Sequence, residues 1–443
     1  MDILNQTQLV PITSKEAIGE DILRVYQDAF IEAPYEENFS QDEVYMNLGE
    51  LLDEGGNLFV RKFGNEAVAL AGGFPRQDGS YWIEELAVAP DSQGEGLGRQ
   101  MLKDLLLSVA GDEISAFQLR TTKNNSKAIS LYRSEGFQID DTSIVVPSRR
   151  TNGRITLDER IYLSKFLKQD AMPEKNNLKR VVVAFPSGNT TAVVFDQRLT
   201  GDRKVLNRNL MDSWKNDYPG SPEIEQCCFV TVPESEEAIA KVEMFGGEFC
   251  GNATRSVIWV LTKGQDYQGK IEVSGVNRLL DFSVKDGQVT VEMPLPIDQA
   301  VREVEEGILV QLDGIAQMVV VDSDISSASE LLSELKNSNR YNLQEQPAVG
   351  VSYYDQSTEK AEFNVWVKEV DTVFDETACG SGTCAIGVAL ATNRKEDVYL
   401  EVIQPSGEKI TVTCIWDEAQ RKVVRAEITG EVNILYDGPF SLK

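Results

Sequence analysis

The chain has 443 residues and is strongly acidic, with 71 Asp and Glu against 43 Lys and Arg. The formal net charge of −28 argues against nucleic acid or an anionic membrane as main partner, and solubility is its simplest explanation. The sequence contains six cysteines and no histidine, so neither a disulfide framework nor a metal site is expected. It has no apolar run of about 18 residues, so no transmembrane helix is expected. The first residues, MDILNQTQLVPITSKE, lack a signal-peptide pattern, which predicts a cytoplasmic protein.

Residues 1–168 alternate between helical and strand-like segments. Their apolar periodicity predicts helices at 15–30, 98–110 and 126–136, and strands at 57–63, 67–74, 81–90, 116–122, 137–146 and 155–167. This order predicts a mixed α/β domain. The polar residues 169–178 that follow are predicted to form a linker.

Residues 179–443 are rich in strands and have the pattern of an α+β domain. Two of the predicted helices begin directly after a Cys-Gly pair, at Cys250-Gly251 and Cys379-Gly380, and a third is expected at 328–338. One such helix in each half suggests two related lobes, at about 179–300 and 301–443. The division between them is expected near 298–306.

A glycine-rich loop, QGEGLGR at Gln93–Arg99, connects a predicted strand to a predicted helix. Glycines let backbone N–H groups approach a phosphate, and a helix N-terminus favours an anion. A glycine-rich turn without a ligand is the alternative. About thirty residues later come Asn125, the Leu131-Tyr132 pair and the Gly136-Phe137 pair. Together these segments resemble the acetyl-CoA-binding core of the GNAT N-acetyltransferases, over about residues 10–167.

This resemblance implies an N-acetyltransferase that uses acetyl-CoA. It implies pantetheine contacts from the splayed strand around Leu86 and Val88, a cofactor contact from Asn125, and a proton donor to the departing thiolate in Tyr132. Glu84 or Glu85 is the candidate general base for the amine, Glu84 being the first choice and an ordinary surface role the alternative. The pyrophosphate contacts map to Gln93, Gly94, Gly96, Gly98 and Arg99.

Cys250 and Cys379 each lie where a turn of small and polar residues enters an apolar helix. We therefore expect each thiol at a helix N-terminus, where the dipole and the N–H groups lower a thiol pKa. In the absence of histidine, the two thiols can act as a paired acid and base. Two buried structural cysteines are the alternative.

Two opposed thiols suit the inversion of an amino-acid α-carbon. One thiolate removes the α-proton from one face, and the opposite thiol returns a proton to the other face. The N–H groups at the two helix starts would bind the carboxylate and stabilise the carbanion, so that no pyridoxal cofactor is required. These N–H groups belong to Gly251, Asn252, Gly380 and Ser381.

The segments PSGNTTAVVFD, FCGNATR and ETACGSGTCA together resemble the diaminopimelate epimerase superfamily of cofactor-independent racemases and epimerases, over about residues 179–440. The resemblance implies two lobes, each a β-barrel around a central helix, with the active site in the cleft. It implies Cys250 and Cys379 as the catalytic pair. It places carboxylate and amine contacts at Asn189, Gly251, Asn252, Gly380 and Ser381.

The sequence departs from the superfamily where diaminopimelate itself is bound. The segment before the second cysteine, VKEVDTVFDETAC, has no arginine, and Ile315 and Gln317 replace an asparagine and a histidine. Diaminopimelate is therefore not the expected substrate. The α-amino group is instead expected near Glu369, Asp371 or Glu376, and an acidic lining would suit a basic or neutral side chain.

These observations predict a bifunctional enzyme: an amino-acid racemase or epimerase with two catalytic cysteines, fused to an acetyl-CoA-dependent N-acetyltransferase that acts on its substrate or product. The expected partners are acetyl-CoA and an amino acid or derivative, and a homodimer is compatible with the sequence. One alternative is an isomerase of the same fold acting on a substrate other than an amino acid. Another is a non-catalytic protein that senses acetyl-CoA or an amino acid.

Overall fold

The computed structural model describes residues 6–53, 55–76, 79–111, 113–167, 178–195, 203–244, 247–295, 301–322, 328–338, 340–368 and 371–441. The chain divides into two compact units, residues 1–176 and 177–443. Nearly all of the predicted linker and part of the predicted lobe division lie outside the described residues, so the three predicted boundaries stay predictions. Within the described helices, none has the length and apolar character needed to cross a membrane.

The first unit is a seven-stranded sheet with helices on both faces. Its strand order is β1-β2-β3-β4-β5-β7-β6, with β4 and β5 parallel and the other pairs antiparallel. The strands are β1 Thr7–Ile12, β2 Asn57–Phe63, β3 Glu66–Pro75, β4 Ser80–Val88, β5 Ala116–Thr122, β6 Gln138–Arg149 and β7 Ile155–Phe166. The helices are α1 Glu20–Phe30, α2 Gln41–Asp53, α3 Leu97–Val109 and α4 Ser126–Ser134.

The two faces of this sheet carry separate apolar cores. Ile22 of α1 and Leu48 of α2 pack with Leu70 of β3 on one face. Met101 of α3 packs with Leu119 of β5 on the other. The predicted mixed α/β order is confirmed, and α2 is an additional helix that the sequence analysis did not identify.

The second unit is built mainly of strands that belong to one sheet, whose order closes on itself. Its first half comprises β8 Leu178–Pro186, β9 Thr191–Phe195, α5 Arg203–Asp217, β10 Gln226–Thr231, β11 Ala238–Met244, α6 Gly251–Thr262, β12 Tyr267–Val273, β13 Leu280–Lys285 and β14 Gln288–Glu292. Its second half comprises β15 Val301–Val304, β16 Gly307–Leu312, β17 Ile315–Val321, α7 Ala328–Asn337, β18 Ala348–Asp355, β19 Lys360–Val367, β20 Thr372–Asp375, α8 Gly380–Arg394, β21 Val398–Ile403, β22 Lys409–Asp417, β23 Lys422–Gly430 and β24 Val432–Ser441.

The two halves repeat one order of pairing. An antiparallel hairpin (β8-β9 or β16-β17) is followed by a helix (α5 or α7) and a strand parallel to the hairpin (β10 or β18). An antiparallel strand (β11 or β19) then leads to the helix that follows a cysteine, α6 or α8. A parallel strand and two antiparallel ones complete each half. Each half therefore contains the same order of strands and helices, and the two lobes with their expected bounds stay a prediction.

Separate sets of strands surround α6 and α8. The first helix packs against β8 to β11, β13 and β14, and the second against β16 to β18 and β21 to β23. The halves are joined where β14 pairs with β23, from Val289↔Gly430 to Glu292↔Glu427, and where β24 pairs with β8. The division into two distinct β-barrels stays a prediction.

Two elements differ from the sequence-based expectation. The apolar pattern of RVVVAFPSGNTTAVVFD predicts one strand over 180–196, but Ser187 and Gly188 adopt positive φ values of 55° and 103° and separate β8 from β9. Helix α5 was not predicted, although the apolar spacing of Leu206, Leu210 and Trp214 is helical.

Candidate active site

Cys250 and Cys379 are the N-cap residues of α6 and α8. Both have extended backbones, and each sulfur accepts a hydrogen bond from the N–H group three residues later. The N···Sγ distances are 3.4 Å from Ala253 to Cys250 and 3.3 Å from Gly382 to Cys379. The prediction that each thiol lies at a helix N-terminus is confirmed.

The two helix N-termini approach each other closely because each begins with glycine. A Cβ atom on Gly251 would lie 2.7 Å from Cδ1 of Ile428, and one on Gly380 would lie 3.0 Å from the same atom. The Gly380 Cβ position is also 3.8 Å from Cα of Gly251. Side chains at either position would therefore push the two thiol-bearing ends apart.

Asn252 and Ser381 bind neighbouring protein groups at this junction. The Asn252 amide nitrogen donates to the backbone oxygen of Ala378 over 2.9 Å and so connects α6 to the residue before the second thiol. Ser381 Oγ lies 3.4 Å from the sulfur of Cys379 and accepts a hydrogen bond from Gln317 Nε2 over 3.1 Å. Both side chains therefore fix the positions of the helix starts. The backbone N–H groups of Asn252 and Ser381 lie in the first turns of α6 and α8.

Asn189 is completely buried and reaches the site through Gln226. Its Oδ1 accepts hydrogen bonds from Gln226 Nε2 and from Thr191 Oγ1, and its Nδ2 donates to Glu225 over 2.9 Å. Gln226 Oε1 in turn accepts a hydrogen bond from the Cys250 thiol over 3.0 Å. The structure therefore brings Asn189 close to the first thiol, with its amide engaged by protein groups.

The thiol pKa values differ from the sequence-based expectation. Burial is the main cause that raises the pKa of Cys250 and of Cys379 to about 12, and the negative charge of Glu376 contributes to the rise in both. Hydrogen bonds from the helix N–H groups act in the opposite direction but are weaker. The helix N-termini lower the thiol pKa values as expected, but the net shift is upward because desolvation of the thiolate outweighs them.

Of the three acidic candidates for the amine contact, the structure places Glu376 beside the thiols. Burial, followed by repulsion from Glu225, raises the pKa of Glu376 to about 8. Asp371 instead forms an ion pair of 2.6 Å with Lys336 and accepts a hydrogen bond from the Trp366 indole. Glu369 lies outside the described residues.

Three residues of this site were not predicted from the sequence: Glu225, Gln226 and Arg255. Glu225 accepts a hydrogen bond of 2.6 Å from Thr377, two residues before Cys379. Gln226 contacts Cys250, as described above. Arg255 lies within the FCGNATR motif itself, so its position in the motif was the available signal.

The predicted phosphate-binding loop of the first unit leads into α3. Gly96 is the N-cap residue of this helix, and Gly94 and Gly96 have positive φ values of 83° and 81°, which favour glycine. Gln93 Nε2 donates to the backbone oxygen of Val88 over 3.2 Å. Arg99 is half-exposed and pairs with Glu135 over 3.1 Å. A Cβ on Gly98 would also contact Val88, at 3.5 Å.

Strand β4 separates from β5 along its length. Their parallel pairing extends from Ser80↔Ala116 to Ile83↔Leu119, and Leu86 and Val88 lie beyond it. The opening therefore begins at the point where the sequence predicts pantetheine contacts.

Asn125 and Tyr132 lie on α4. The Asn125 side chain caps the helix by accepting from Ala128 N over 3.0 Å, and its Nδ2 donates to the Tyr35 hydroxyl over 3.2 Å. Tyr132 is buried and packs against Phe137. Burial holds the pKa of Tyr132 well above its ordinary value, so its hydroxyl keeps its proton.

A β-bulge distinguishes Glu84 from Glu85. Gly72 of β3 is opposite Glu85 and Gly73 is opposite Ile83, so Glu84 is the extra residue. Glu84 is exposed and pairs with Arg120 over 3.3 Å. Glu85 accepts a hydrogen bond of 2.9 Å from Tyr26, and its pKa is raised to about 8 by burial and by Glu84.

The matches to known families agree with this division of the chain. Residues 20–137 match the acetyltransferase (GNAT) family, and the first unit contains a GNAT acetyltransferase domain. Residues 180–440 match the family described as "Histidine racemase CntK N-terminal domain". That match covers more than half of the chain, which therefore belongs to this racemase family.

The individual relatives described next share less than 30% sequence identity with the chain. The chain is 29% identical over 181 residues to a histidine racemase of Fusobacterium nucleatum subsp. nucleatum, a match that covers 38% of this chain and 68% of the relative. It is 25% identical over 259 residues to a histidine racemase of Staphylococcus aureus, a match that covers 53% of this chain and 90% of the relative. Among solved structures, a phenazine biosynthesis protein of the PhzF family from Enterococcus faecalis aligns with a TM-score of 0.41 and 13% identity, over 59% of this chain and 99% of that one.

Proposed function

We propose that the second unit is a pyridoxal-independent amino-acid racemase in which Cys250 and Cys379 are the paired base and acid. The observation that supports this most directly is the pair of cysteine N-caps on two helices whose first residues meet at Ile428. The α-proton passes from carbon to one sulfur, and its bonding electrons stay on the substrate. The opposite S–H gives its proton to the other face of the same carbon.

In this reaction the substrate carboxylate is bound by the backbone N–H groups at the starts of α6 and α8. These groups, from Gly251, Asn252, Gly380 and Ser381, carry the positive ends of two helix dipoles. Negative charge develops on the carboxylate as the α-proton leaves, and fixed N–H groups stabilise it there.

We further propose histidine as the amino acid. The relatives in Fusobacterium and Staphylococcus are histidine racemases. Glu225 and Glu376 provide two carboxyl groups near the thiols, where an imidazole or an α-amino group can donate hydrogen bonds to them. An acidic lining of this kind suits a weakly basic side chain.

The test is incorporation of solvent deuterium at the α-carbon of L-histidine, followed by NMR in deuterium oxide. We expect exchange in the parent protein and a loss of about 10²- to 10⁴-fold in each of Cys250→Ser and Cys379→Ser. Cys384→Ala is the matched control, since Cys384 is a buried thiol on the same helix as Cys379. Exchange at the parent rate in both serine variants would contradict the two-thiol mechanism.

For the first unit we propose transfer of an acetyl group from acetyl-CoA to the amine of the racemase substrate or product. The loop with Gly94 and Gly96 would bind the pyrophosphate, and the open edge of β4 would receive the pantetheine. Glu85 is a better general base than Glu84, since its pKa of about 8 lies near the working pH of a cytoplasmic enzyme. Tyr132 would give its proton to the departing thiolate.

A further inference from the structure

The two thiols differ in the hydrogen-bonding groups that face them. Cys250 donates its S–H to Gln226 Oε1, the oxygen of a side-chain amide, over 3.0 Å. Cys379 instead lies 3.4 Å from the hydroxyl of Ser381. An amide oxygen can only accept a hydrogen bond, whereas a hydroxyl group can also donate one. The first neighbour therefore stabilises a protonated sulfur, and the second can stabilise a deprotonated one.

A chain of hydrogen bonds fixes the orientation of the Gln226 amide. Its Nε2 donates to Asn189 Oδ1 over 2.5 Å and to Thr191 Oγ1 over 2.9 Å. The Asn189 amide is oriented in turn, because its Nδ2 donates to Glu225, whose carboxyl group also accepts from Thr377. Turning the Gln226 amide over would bring its oxygen against Asn189 Oδ1. Gln226 therefore keeps its oxygen, and not its N–H groups, toward the thiol.

A second chain of hydrogen bonds directs donors toward Cys379. The Ser352 hydroxyl donates to Gln317 Oε1 over 3.1 Å, so Gln317 Nε2 is left to donate to Ser381 Oγ, also over 3.1 Å. Since Gln317 occupies a lone pair of the Ser381 oxygen, the hydroxyl hydrogen is available to the sulfur beside it. The N–H of Gly382 also donates to this sulfur, over 3.3 Å. Two donors can therefore converge on Cys379.

The charged groups near the thiols do not favour the opposite assignment. Apart from burial, the negative charge of Glu376 raises the pKa of both Cys250 and Cys379. The charge of Glu248 contributes to the raised pKa of Cys250. Arg255 is buried on α6 and donates its hydrogen bonds to uncharged side chains. The direction of the hydrogen bonds is thus the feature that distinguishes the two sulfurs.

We propose that Gln226 and Ser381 are positioning residues that make the two thiols unequal in the resting protein. Cys379 loses its proton first and acts as the base, whereas Cys250 keeps its proton and acts as the acid. This assignment rests on the proposed two-thiol function and adds to it which sulfur begins the reaction.

The assignment gives a defined order of proton transfers. The Cys379 thiolate takes the α-proton, and the bonding electrons stay on the substrate. Cys250 gives its proton to the opposite face of the same carbon and is left as a thiolate that faces the Gln226 oxygen. Loss of the new Cys379 proton to water and uptake of a proton by Cys250 then restore the resting form.

The first test is the S–H stretching band of Cys250 in the infrared spectrum, identified by its loss in Cys250→Ser. An S–H group that donates a hydrogen bond stretches at lower frequency than a free one. We expect this band to move to higher frequency in Gln226→Met, which replaces the amide by an unbranched apolar side chain. Gln311→Met is the matched control, since Gln311 is a half-buried glutamine whose amide binds Gln346, and it should leave the band in place.

The second test is the rate at which iodoacetamide alkylates each thiol at fixed pH, located by peptide mass spectrometry. Each thiol is compared with itself in parent and variant, because Cys379 is more deeply buried than Cys250. One hydrogen bond changes the thiolate fraction about fivefold, and the greater nucleophilicity of a more basic thiolate offsets part of this change. We expect Gln226→Met to accelerate alkylation of Cys250 about two- to threefold. Ser381→Ala should slow alkylation of Cys379 by a similar factor.

Each substitution should leave the other thiol at its parent rate. A substitution that merely loosened the site would accelerate both thiols, so the opposite signs separate hydrogen bonding from packing. Thermal unfolding will verify that the variants are folded. Should Gln226→Met fail to fold, the parent spectrum alone tests the hydrogen bond through the frequency of the band that Cys250→Ser removes.

Three results would overturn the proposal. They are a Cys250 band at the frequency of a free thiol, alkylation of Cys250 at the parent rate in folded Gln226→Met, and equal acceleration of both thiols in that variant. Failure of the proposed racemase function would show differently, as a parent protein that places no deuterium on histidine. Neither the spectrum nor the alkylation needs turnover, so the two kinds of failure are distinguishable.

Discussion

At the scale of single residues, two opposing effects determine the thiol pKa values: burial of the thiols and hydrogen bonds from nearby backbone N–H groups. The N–H groups at the starts of α6 and α8 lower the pKa of Cys250 and Cys379, but burial raises it to about 12. Thiols of this kind are mostly protonated near neutral pH. Under the proposed two-thiol mechanism, catalysis depends on the nearby charges that alter the thiolate fraction, and Glu376 is the carboxyl group that raises the pKa of both thiols.

Removing the Glu376 charge should make both thiols more acidic. Glu376 is charged only above its own pKa of about 8, and in that form it raises the thiol pKa values. The α-exchange rates of Glu376→Gln and parent, each taken relative to its own value at about pH 6, should therefore agree below about pH 7 and diverge above about pH 8. Above about pH 8, the exchange rate of Glu376→Gln should increase with pH at lower pH values than the rate of the parent does. The measurement is kcat/KM for α-deuteration against pH.

Asp371→Asn is the matched control for this experiment. Asp371 is exposed and paired with Lys336, so its replacement should leave the pH profile unchanged. A Glu376→Gln profile identical to the parent above pH 8, or displaced to higher pH, would show that Glu376 does not control the thiols.

At the scale of elements, the repeated pairing order places one cysteine-capped helix in each half. The strand pairs β14-β23 and β24-β8 join the halves, and Ile428 on β23 lies against both helix starts. Glycine at positions 251 and 380 allows this approach. The separation of the thiols is thus set by backbone contact between elements as well as by side-chain hydrogen bonds.

Gly251→Ala should reduce exchange because its Cβ would meet Ile428 Cδ1 at 2.7 Å, and Ile428 is completely buried. A displacement of about 1 Å in a catalytic group can cost about 10²-fold in rate. Ile428→Val removes the δ carbon at a cost of about 1 kcal/mol in the free energy of unfolding. The double variant should recover much of the lost exchange rate. A double variant no faster than Gly251→Ala would contradict the steric explanation.

At the scale of the whole molecule, one chain combines a racemase-family domain with a GNAT domain. Racemisation of a free amino acid has no free-energy bias between mirror images. Acetylation by a thioester is downhill and removes one enantiomer from that equilibrium. The proposed coupling therefore depends on a preference of the acetyltransferase for one enantiomer. This preference requires no contact between the two units.

The coupling predicts that L-histidine and acetyl-CoA yield mainly the N-acetyl derivative of D-histidine. Chiral chromatography of the product measures this. Cys250→Ser should prevent conversion of the L-enantiomer, whereas Glu85→Gln should stop acetylation and leave a racemic mixture. Equal acetylation of both enantiomers would contradict the coupling.

Several parts of the site were predictable because they depend on local sequence. The small and polar residues before the apolar helices predicted both N-cap positions, and the glycines at 94 and 96 predicted the loop before α3. The polar helices α2 and α5 were not identified. Gln226 was also missed, because nothing local distinguishes a buried glutamine from an exposed one. Arg255 was missed although it lies within the FCGNATR motif.

The sequence by itself therefore determined the chemistry available: two thiols at helix starts, no histidine, and a glycine-rich loop at a strand-to-helix junction. The tertiary structure alone decided the protonation of those groups and which acid lies beside them. Burial and distance arise from contacts between residues far apart in the chain, such as Asn252 with Ala378. For that reason the thiols that sequence reasoning expected to be acidic are instead held protonated by desolvation.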